Sequence, residues 1–254
     1  MQIINEPSVY LVGQQSIDYG ELGRFLADES VSEWTTDTDI GAEKLVEVAG
    51  RICYMSFSKP RPSGNKAYMD HILEVGHGSV LEHAVFSLMI TGVSRSLTHE
   101  LVRHRSGFGY SQLSQRFVDE SKCAFVLPPA IADDPELLMV WRNAVEHAQA
   151  AYKRLSDGLA AKLSEVEDKT LKRKMAREAA RSVLPNATET KIFITGNARA
   201  LRHFIEMRGS IHADAEIREL ACKVAKVLRE AAPNLFSDLV WGEGGTVTTK
   251  HRKV

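Results

Sequence analysis

The pair Asp134-Pro135 opens a long helical stretch that runs to about Val166. Its apolar seam is marked by Ala144, His147, Ala148, Ala151, Leu155 and Leu159, and His147 on that seam reads as a packed core histidine. A second helix, Thr170 to Val183, is strongly basic and reads mostly as a solvated face. Arg181 stands apart, where the chain turns at Leu184-Pro185-Asn186. A final helix, Ala213 to Ala232, packs by Ile217, Leu220, Ala221, Val224 and Leu228. Beside these helices the strands are few: Val9–Val12, Val85–Ile90 and Thr190–Ile194, with extended pieces at Phe117-Val118 and Ala124–Leu127. The run Val85–Ile90 is almost continuously apolar, which implies burial on both faces, and Thr91-Gly92 ends it. Few strands among long helices predict the α+β class with a mixed sheet. We expect one domain over residues 1–240 and a flexible, glycine-rich polar tail over 241–254.

The first third is helical and loop-rich. A helix is predicted near Tyr19–Ala27. Thr36 to Asp39 offer N-caps for a second, which carries Leu45, Val46, Val48 and Ala49 up to Cys53. Ser58–Gly64 is a loop, because its prolines block helix. Asn65 can cap a helix through Val75, which Gly76 stops. The block His77-Gly78-Ser79-Val80-Leu81-Glu82-His83 suits either a metal site or a polar loop entering a strand. No partner set with zinc spacing follows, which favours the loop.

Net charge is -1, from 32 Lys+Arg against 33 Asp+Glu. A general nucleic-acid or membrane-surface binder would carry a basic excess, so any anion site must come from local clustering. The three cysteines are scattered and form no Cys-x-x-Cys, which points to neither a disulfide framework nor a zinc knuckle. A reducing, cytoplasmic setting is expected, with no apparent signal peptide and no membrane span.

The strongest local cluster is Arg103-His104-Arg105-Ser106-Gly107-Phe108-Gly109-Tyr110-Ser111-Gln112-Leu113-Ser114-Gln115-Arg116. A helix capped by Ser94 or Ser96 delivers its three basic residues. Their side chains would fan out about 100° apart unless the helix frays there. Glycines permit sharp turns, hydroxyls and freed N–H groups hold phosphate oxygens, and arginine grips phosphate bidentately. The stretch therefore suits a phosphorylated, nucleotide-like ligand; taken alone, it reads more readily as a solvated basic helix end followed by a flexible loop. His99 and His104 are five apart, about 140° around a helix, so they cannot share a zinc as an i, i+4 pair does. Downstream, Asn197 can cap a helix Ala198–Arg208 on which Arg199 and His203 share a face, and Arg208 lies about 140° from His203.

The Arg-His-Arg stretch resembles the signature of the flavin-dependent thymidylate synthases, the ThyX family. It departs from that signature in three ways. Eight residues rather than seven separate Arg105 from Ser114, Gly109 stands where the family has a mid-loop serine, and Phe117 replaces a tyrosine. The block His77–His83 resembles the family's His-x-Ser-x-x-Glu-His segment, and Asn197, Arg199 and His203 resemble its second flavin segment. The resemblance implies a ThyX-like fold and a homotetramer whose sites are built from several subunits. It implies FAD held by His77, Ser79, Arg103, His104, Arg105, Asn197, Arg199 and His203, with Gln112 lying between the flavin and the nucleotide. Glu100, Arg103, Gln112, Leu113, Ser114, Gln115 and Arg116 would line the nucleotide, Arg181 would hold its phosphate, and Arg208 would contact and activate the uracil ring. The implied reaction is reductive methylation of dUMP at C5 to give dTMP, with NADPH as reductant and methylenetetrahydrofolate as carbon donor. A relative acting on UMP, or on both nucleotides, in specialised nucleoside metabolism is the alternative. A non-catalytic RNA- or nucleotide-binding protein is disfavoured by the near-zero charge and by an aromatic content of 7%.

Overall fold

A computed structural model of the chain describes residues 1–31, 34–59 and 62–252. In chain order its elements are β1 (Ile3–Ile4), β2 (Ser8–Gln14), α1 (Tyr19–Asp28), α2 (Gly41–Ile52), α3 (Gly64–Glu74), β3 (Val85–Ser94), α4 (Arg95–Leu101), β4 (Phe108–Gln112), β5 (Phe125–Val126), α5 (Pro129–Ala132), α6 (Pro135–Lys162), α7 (Lys169–Ala180), β6 (Glu189–Asn197), α8 (Ala198–Arg208), α9 (Ala215–Ala231), β7 (Leu239–Gly242) and β8 (Thr246–Thr249). Short 3-10 turns occupy Gly78–His83 and Arg181–Val183. The class is α+β, as expected.

The chain falls into two compact units. The first is Met1–Ser8, Ile90–Arg103 and Ser111–Ile192; the second is Val9–Met89, His104–Tyr110 and Phe193–Val254. The chain leaves the first unit between Arg103 and His104 and re-enters it between Tyr110 and Ser111. The basic triplet is thus divided between the two.

In the first unit β1 runs parallel to β5, with Ile3 opposite Phe125 and Ile4 opposite Val126. Phe125, Cys123 and Val145 of α6 form a core on which Trp141, Leu184 and Ala187 pack. Asp134 caps α6 by accepting from the N–H groups of Glu136 and Leu137. The helix buries Val145 and Tyr152, which lie one heptad apart. His147 is exposed, not packed. It lies two residues and about 200° from Val145, on the outer face of a helix that shows the core only a narrow stripe. Phe117-Val118 forms a turn rather than an extended piece: Arg177 Nη1 donates to Phe117 O at 2.6 Å and Lys174 Nζ lies 5.5 Å from the Phe117 ring.

In the second unit the sheet order is β2-β3-β6-β4, and all four strands place residues here. Strand β3 alternates instead of burying both faces: Phe86 and Leu88 point inward, while Met89 is 42% exposed. Nor does β3 stop at Thr91-Gly92. In the first unit Gly92 (φ +70°) carries it onward where a Cβ would stand 2.8 Å from Glu6 O, and its N–H donates to Glu189 Oε1 at 3.0 Å. β6 likewise continues beyond Ile194, where the expected strand ends, to Asn197. Side chains of α2, α3, α8 and α9, among them Val46, Met69, Ile72, Phe204, Ile217 and Val224, fill the core.

Two expected caps serve other ends. Ile40 is the N-cap of α2 and makes no side-chain bond; Thr38 Oγ1 accepts from Ile40 N at 3.2 Å and donates to the buried Glu43 at 2.6 Å. Asn65 sits inside α3, buried, and donates through Nδ2 to Glu47 Oε2 at 2.7 Å. In the Ser58–Gly64 loop, Pro60 and Arg61 lie outside the described residues.

The expected tail is instead a hairpin. β7 pairs antiparallel with β8 around Gly244 and Gly245, both at positive φ, a geometry glycine adopts without strain. Lys253 and Val254 lie outside the described residues. Arg202, 3% exposed, grips both oxygens of Asp238 at 2.8 and 2.9 Å, and Thr249 bonds to both partners. Val247 is fully buried, and its N–H donates to Gly209 O at 3.0 Å. Burial alone would raise the Asp238 pKa, but the Arg202 hydrogen bonds and charge, with Thr249, hold it at about 2. The stabilisation is present above the unfolded carboxyl value and is lost as pH falls towards 2. Asp238→Asn leaves Arg202 charged, buried and unpaired, and should cost about 3–5 kcal/mol in denaturant unfolding; a loss under about 1 kcal/mol would contradict this account of the hairpin.

Candidate active site

In the first unit, Ser94 caps α4 by accepting from Leu97 N at 3.0 Å, and the helix ends at Leu101. Arg103, His104 and Arg105 therefore lie beyond its last turn, which frees them from helical spacing. Glu100 is half-buried on α4 and Arg103 is exposed. Arg95, at the start of α4, donates through Nη2 to Leu113 O at 2.8 Å, while Leu113 N donates to Lys191 O at 2.9 Å. Leu113 is thus fixed on both sides. Gln112 Nε2 donates to Thr98 Oγ1 at 3.0 Å and Thr190 Oγ1 at 3.4 Å. Ser114 O accepts from the N–H groups of Phe117 and Val118, Gln115 is buried, and Arg116 pairs with Glu178 at 2.8 Å. Arg181 is half-buried in the 3-10 turn after α7.

These contacts leave two guanidinium donors open. Arg95 Nε and Arg116 Nε are buried and find no acceptor among the described residues. Buried N–H groups are nearly always paired, so an open donor on each of these cationic side chains is a candidate anion contact. Burial lowers the Arg95 pKa, Glu120 opposes that, and the charge of Arg181 adds to it. Arg95 was not singled out from the sequence; its one signal is its place directly after the Ser94 cap of the helix that leads to Arg103.

In the second unit a different set comes together. Asn197 caps α8 by accepting from Ala200 N at 2.8 Å, and its own N–H donates to Gly107 O at 3.1 Å. Gly107 has φ +73°, and a Cβ there would lie 2.7 Å from Asn197 Nδ2 and 2.8 Å from Ala200 Cβ, so only glycine fits. The His104 ring packs edge-on to Phe204 at 5.4 Å and lies 6.0 Å from His203 and 6.4 Å from Phe108. Arg208 Nε donates to His104 Nε2 at 3.1 Å, which places the imidazole proton on Nδ1. Tyr110 donates its hydroxyl to His104 O, and burial pushes the Tyr110 pKa to about 12. Arg199 Nη1 reaches Glu82 Oε1 at 2.6 Å; both are substantially exposed, so the pair is weak and displaceable. His203 and Arg105 are exposed. His77 and Ser79 line a cavity of about 390 Å³ with Arg51, Tyr54, Tyr68 and His71.

A family profile described as "Thymidylate synthase complementing protein" matches residues 36–234. A flavin-dependent thymidylate synthase of Mycobacteroides abscessus is 55% identical over 216 residues, covering 84% of this chain and 85% of that protein. One from Mycolicibacterium gilvum is 58% identical over 208 residues, covering 81% and 82%. The chain belongs to the flavin-dependent thymidylate synthase family. In fold, it is similar to a UMP/dUMP methylase, PolB, from Streptomyces cacaoi solved with 5-Br dUMP: the TM-score is 0.68 at 20% identity, covering 93% of this chain and 96% of that one.

The departures from the synthase signature have local explanations. The expected small-residue loop is largely strand β4, on which Phe108, Tyr110 and Gln112 are half-buried while Gly109 and Ser111 are exposed. An extra residue inside the strand would flip that alternation. The turn closed by Phe108 N on Arg105 O at 3.3 Å can absorb it without such a flip. A Cβ at Gly109 would meet nothing within 4 Å, so this synthase has room for the family's serine.

The same packing determines the charge of His104. Burial, then Arg208, then His203 lower its pKa to about 4, so the middle residue of the basic triplet is neutral at pH 7. The unfolded chain takes up this proton near the ordinary value of about 6.5, so this group's contribution to stability is intact above that pH and falls away towards about 4. NMR titration of the ring should show the neutral form down to that range, with Arg208→Ala shifting the midpoint upward; a wild-type midpoint near 6.5 would contradict the packing described.

Proposed function

We propose that this synthase methylates C5 of uracil in dUMP to give dTMP. FAD is the flavin, NADPH the reductant and methylenetetrahydrofolate the carbon donor. The observation that carries the nucleotide reading is the open buried donor on each of Arg95 and Arg116, with the charge of the half-buried Arg181 acting on Arg95. Together they suit the 5′-phosphate, while Glu100, Arg103, Gln112, Leu113, Ser114 and Gln115 line the rest of the nucleotide. Relatives at 54–58% identity are named thymidylate synthases, which favours dUMP over the alternative, UMP.

The second-unit residues suit FAD. His77 and Ser79, which line the cavity, can face the ring system, while Arg105, Arg199, His203 and the Asn197 amide suit its phosphates and ribose. Bound there, FAD supplies the hydride. His104 supports the site by orientation: being neutral, it accepts from Arg208 and fixes that guanidinium. Arg208 then presents positive charge to the uracil ring and stabilises the charge that develops as C5 becomes nucleophilic.

No thiol is prepared for addition to the ring. Cys123 is buried and its pKa is pushed to about 11. Cys222 is raised by burial and donates to Gly245 O. Cys53 is exposed and donates to Ala49 O. We take the chain to act as one catalytic domain that includes the β7–β8 hairpin, and to work in the cytoplasm as a homotetramer with shared sites.

Arg208→Ala should retain the flavin absorbance spectrum while turnover falls about 10²–10³-fold. Arg181→Ala should weaken dUMP binding about tenfold or more. Full turnover in the first variant, or an unchanged dUMP Kd in the second, would remove the role assigned to that residue.

A further inference from the structure

Glu120, only 4% exposed in the first unit, keeps one carboxylate oxygen, Oε1, to which no described residue donates a hydrogen bond. It lies on the segment between Arg116 and β5, and its backbone N–H donates to Tyr152 Oη of α6 at 3.3 Å. The charges that act on it come from Arg95 of α4, Glu189 and Lys191 of β6, and neighbouring Asp119. Arg181 in turn acts on Arg95, and the Cys123 thiol, raised by burial, also feels Glu120. The other two carboxylates have partners. Glu189 accepts from Gly92 N at 3.0 Å and from Lys191 Nζ at 3.2 and 3.0 Å. Asp119 accepts from Ser121 N at 2.9 Å and lies 3.4 Å from Arg177. Leaving a buried acceptor open is costly, so this oxygen calls for a donor from a ligand.

In the first unit the open groups are of both kinds: guanidinium N–H donors on Arg95 and Arg116, and the Glu120 carboxylate acceptor; Arg95 is the guanidinium whose charge acts on Glu120. A phosphate dianion would satisfy the donors and repel the carboxylate. A phosphomonoester with one proton between it and the carboxylate suits a guanidinium donor and the carboxylate together.

We propose that Glu120 and the 5′-phosphate of the nucleotide share one proton, so that Glu120 is itself a phosphate-recognition residue. The step balances simply: carboxylate, phosphate dianion and one solvent proton give a carboxyl–phosphate hydrogen bond, and no covalent bond changes. The proposal rests on the nucleotide reading above. Its direction agrees with the free protein, in which burial already raises the Glu120 pKa; Arg95 and Lys191 oppose that rise, and Glu189 and Asp119 add to it. A bound dianion raises it further, so protons are taken up on binding, and affinity is lost as pH rises through the pKa of the bound state.

The test is dUMP titration of the flavin-loaded protein by calorimetry, without folate, in buffers of low and high ionisation enthalpy. Near pH 8 the free phosphate, with a second pKa of about 6, is a dianion. Wild type should take up close to one proton per dUMP at about pH 8, and its Kd should weaken by up to about tenfold per pH unit above that. Glu120→Gln, which keeps the shape and cannot titrate, should take up none and hold a flat Kd. Tight binding with a flat wild-type Kd and no uptake would overturn the shared proton and leave the nucleotide reading intact. So would uptake undiminished in Glu120→Gln. The wild-type slope stands even if the variant folds poorly. Absence of any dUMP binding would overturn the nucleotide reading as well.

Discussion

The set of residues that we assign to the flavin depends on a missing atom. At Gly107 the backbone turns with φ +73°, and its carbonyl accepts from Asn197 N while Asn197 and Ala200 occupy the space a side chain would need. That contact joins the Arg-His-Arg segment to the N-terminus of α8. Once the two are joined, His104 falls against Phe204 and His203, and Arg208, at the end of the same helix, reaches the imidazole. A larger residue at 107 would separate the strand from the helix that carries Asn197, Arg199, His203 and Arg208. It would also crowd the Asn197 amide, one of the groups we assign to the flavin.

The basic triplet then resolves into three different roles. Arg103 stays with the first unit, while His104 and Arg105 belong to the second. His104 gives up its charge to burial and to its neighbours, and what remains is a rigid acceptor for Arg208. A protonated imidazole there would repel the guanidinium that it now orients. The first unit arranges charge differently: it leaves buried guanidinium donors open on Arg95 and Arg116, and sets the Glu120 carboxylate against Arg95.

Much of this was legible in the sequence. The Ser94, Asp134 and Asn197 caps, the long helices and the separation of Arg181 from the rest of its basic helix all follow from local chemistry, and local chemistry is what a sequence displays. The misses share a different cause. His147 was placed on the core side because alanines blur the seam of α6, and only the packing of Val145 and Tyr152 decides which stripe is buried. The tail read as flexible because Gly244-Gly245 dominated it. The flanking β-branched residues Thr246, Val247, Thr248 and Thr249 were the hairpin signal, and Arg202, far upstream, supplies the clip. Arg95 and Glu120 escaped notice because their importance lies in unpaired atoms, which exist only once everything around them has found its partner.

The central claim is the reaction at uracil C5, and tritium release from [5-³H]dUMP tests it most directly. The assay contains FAD, NADPH and methylenetetrahydrofolate, omits each in turn, and runs [5-³H]UMP in parallel. Release from dUMP should exceed release from UMP and fall to background without the flavin or the folate. Release from neither nucleotide, with FAD verified as bound, would contradict that claim.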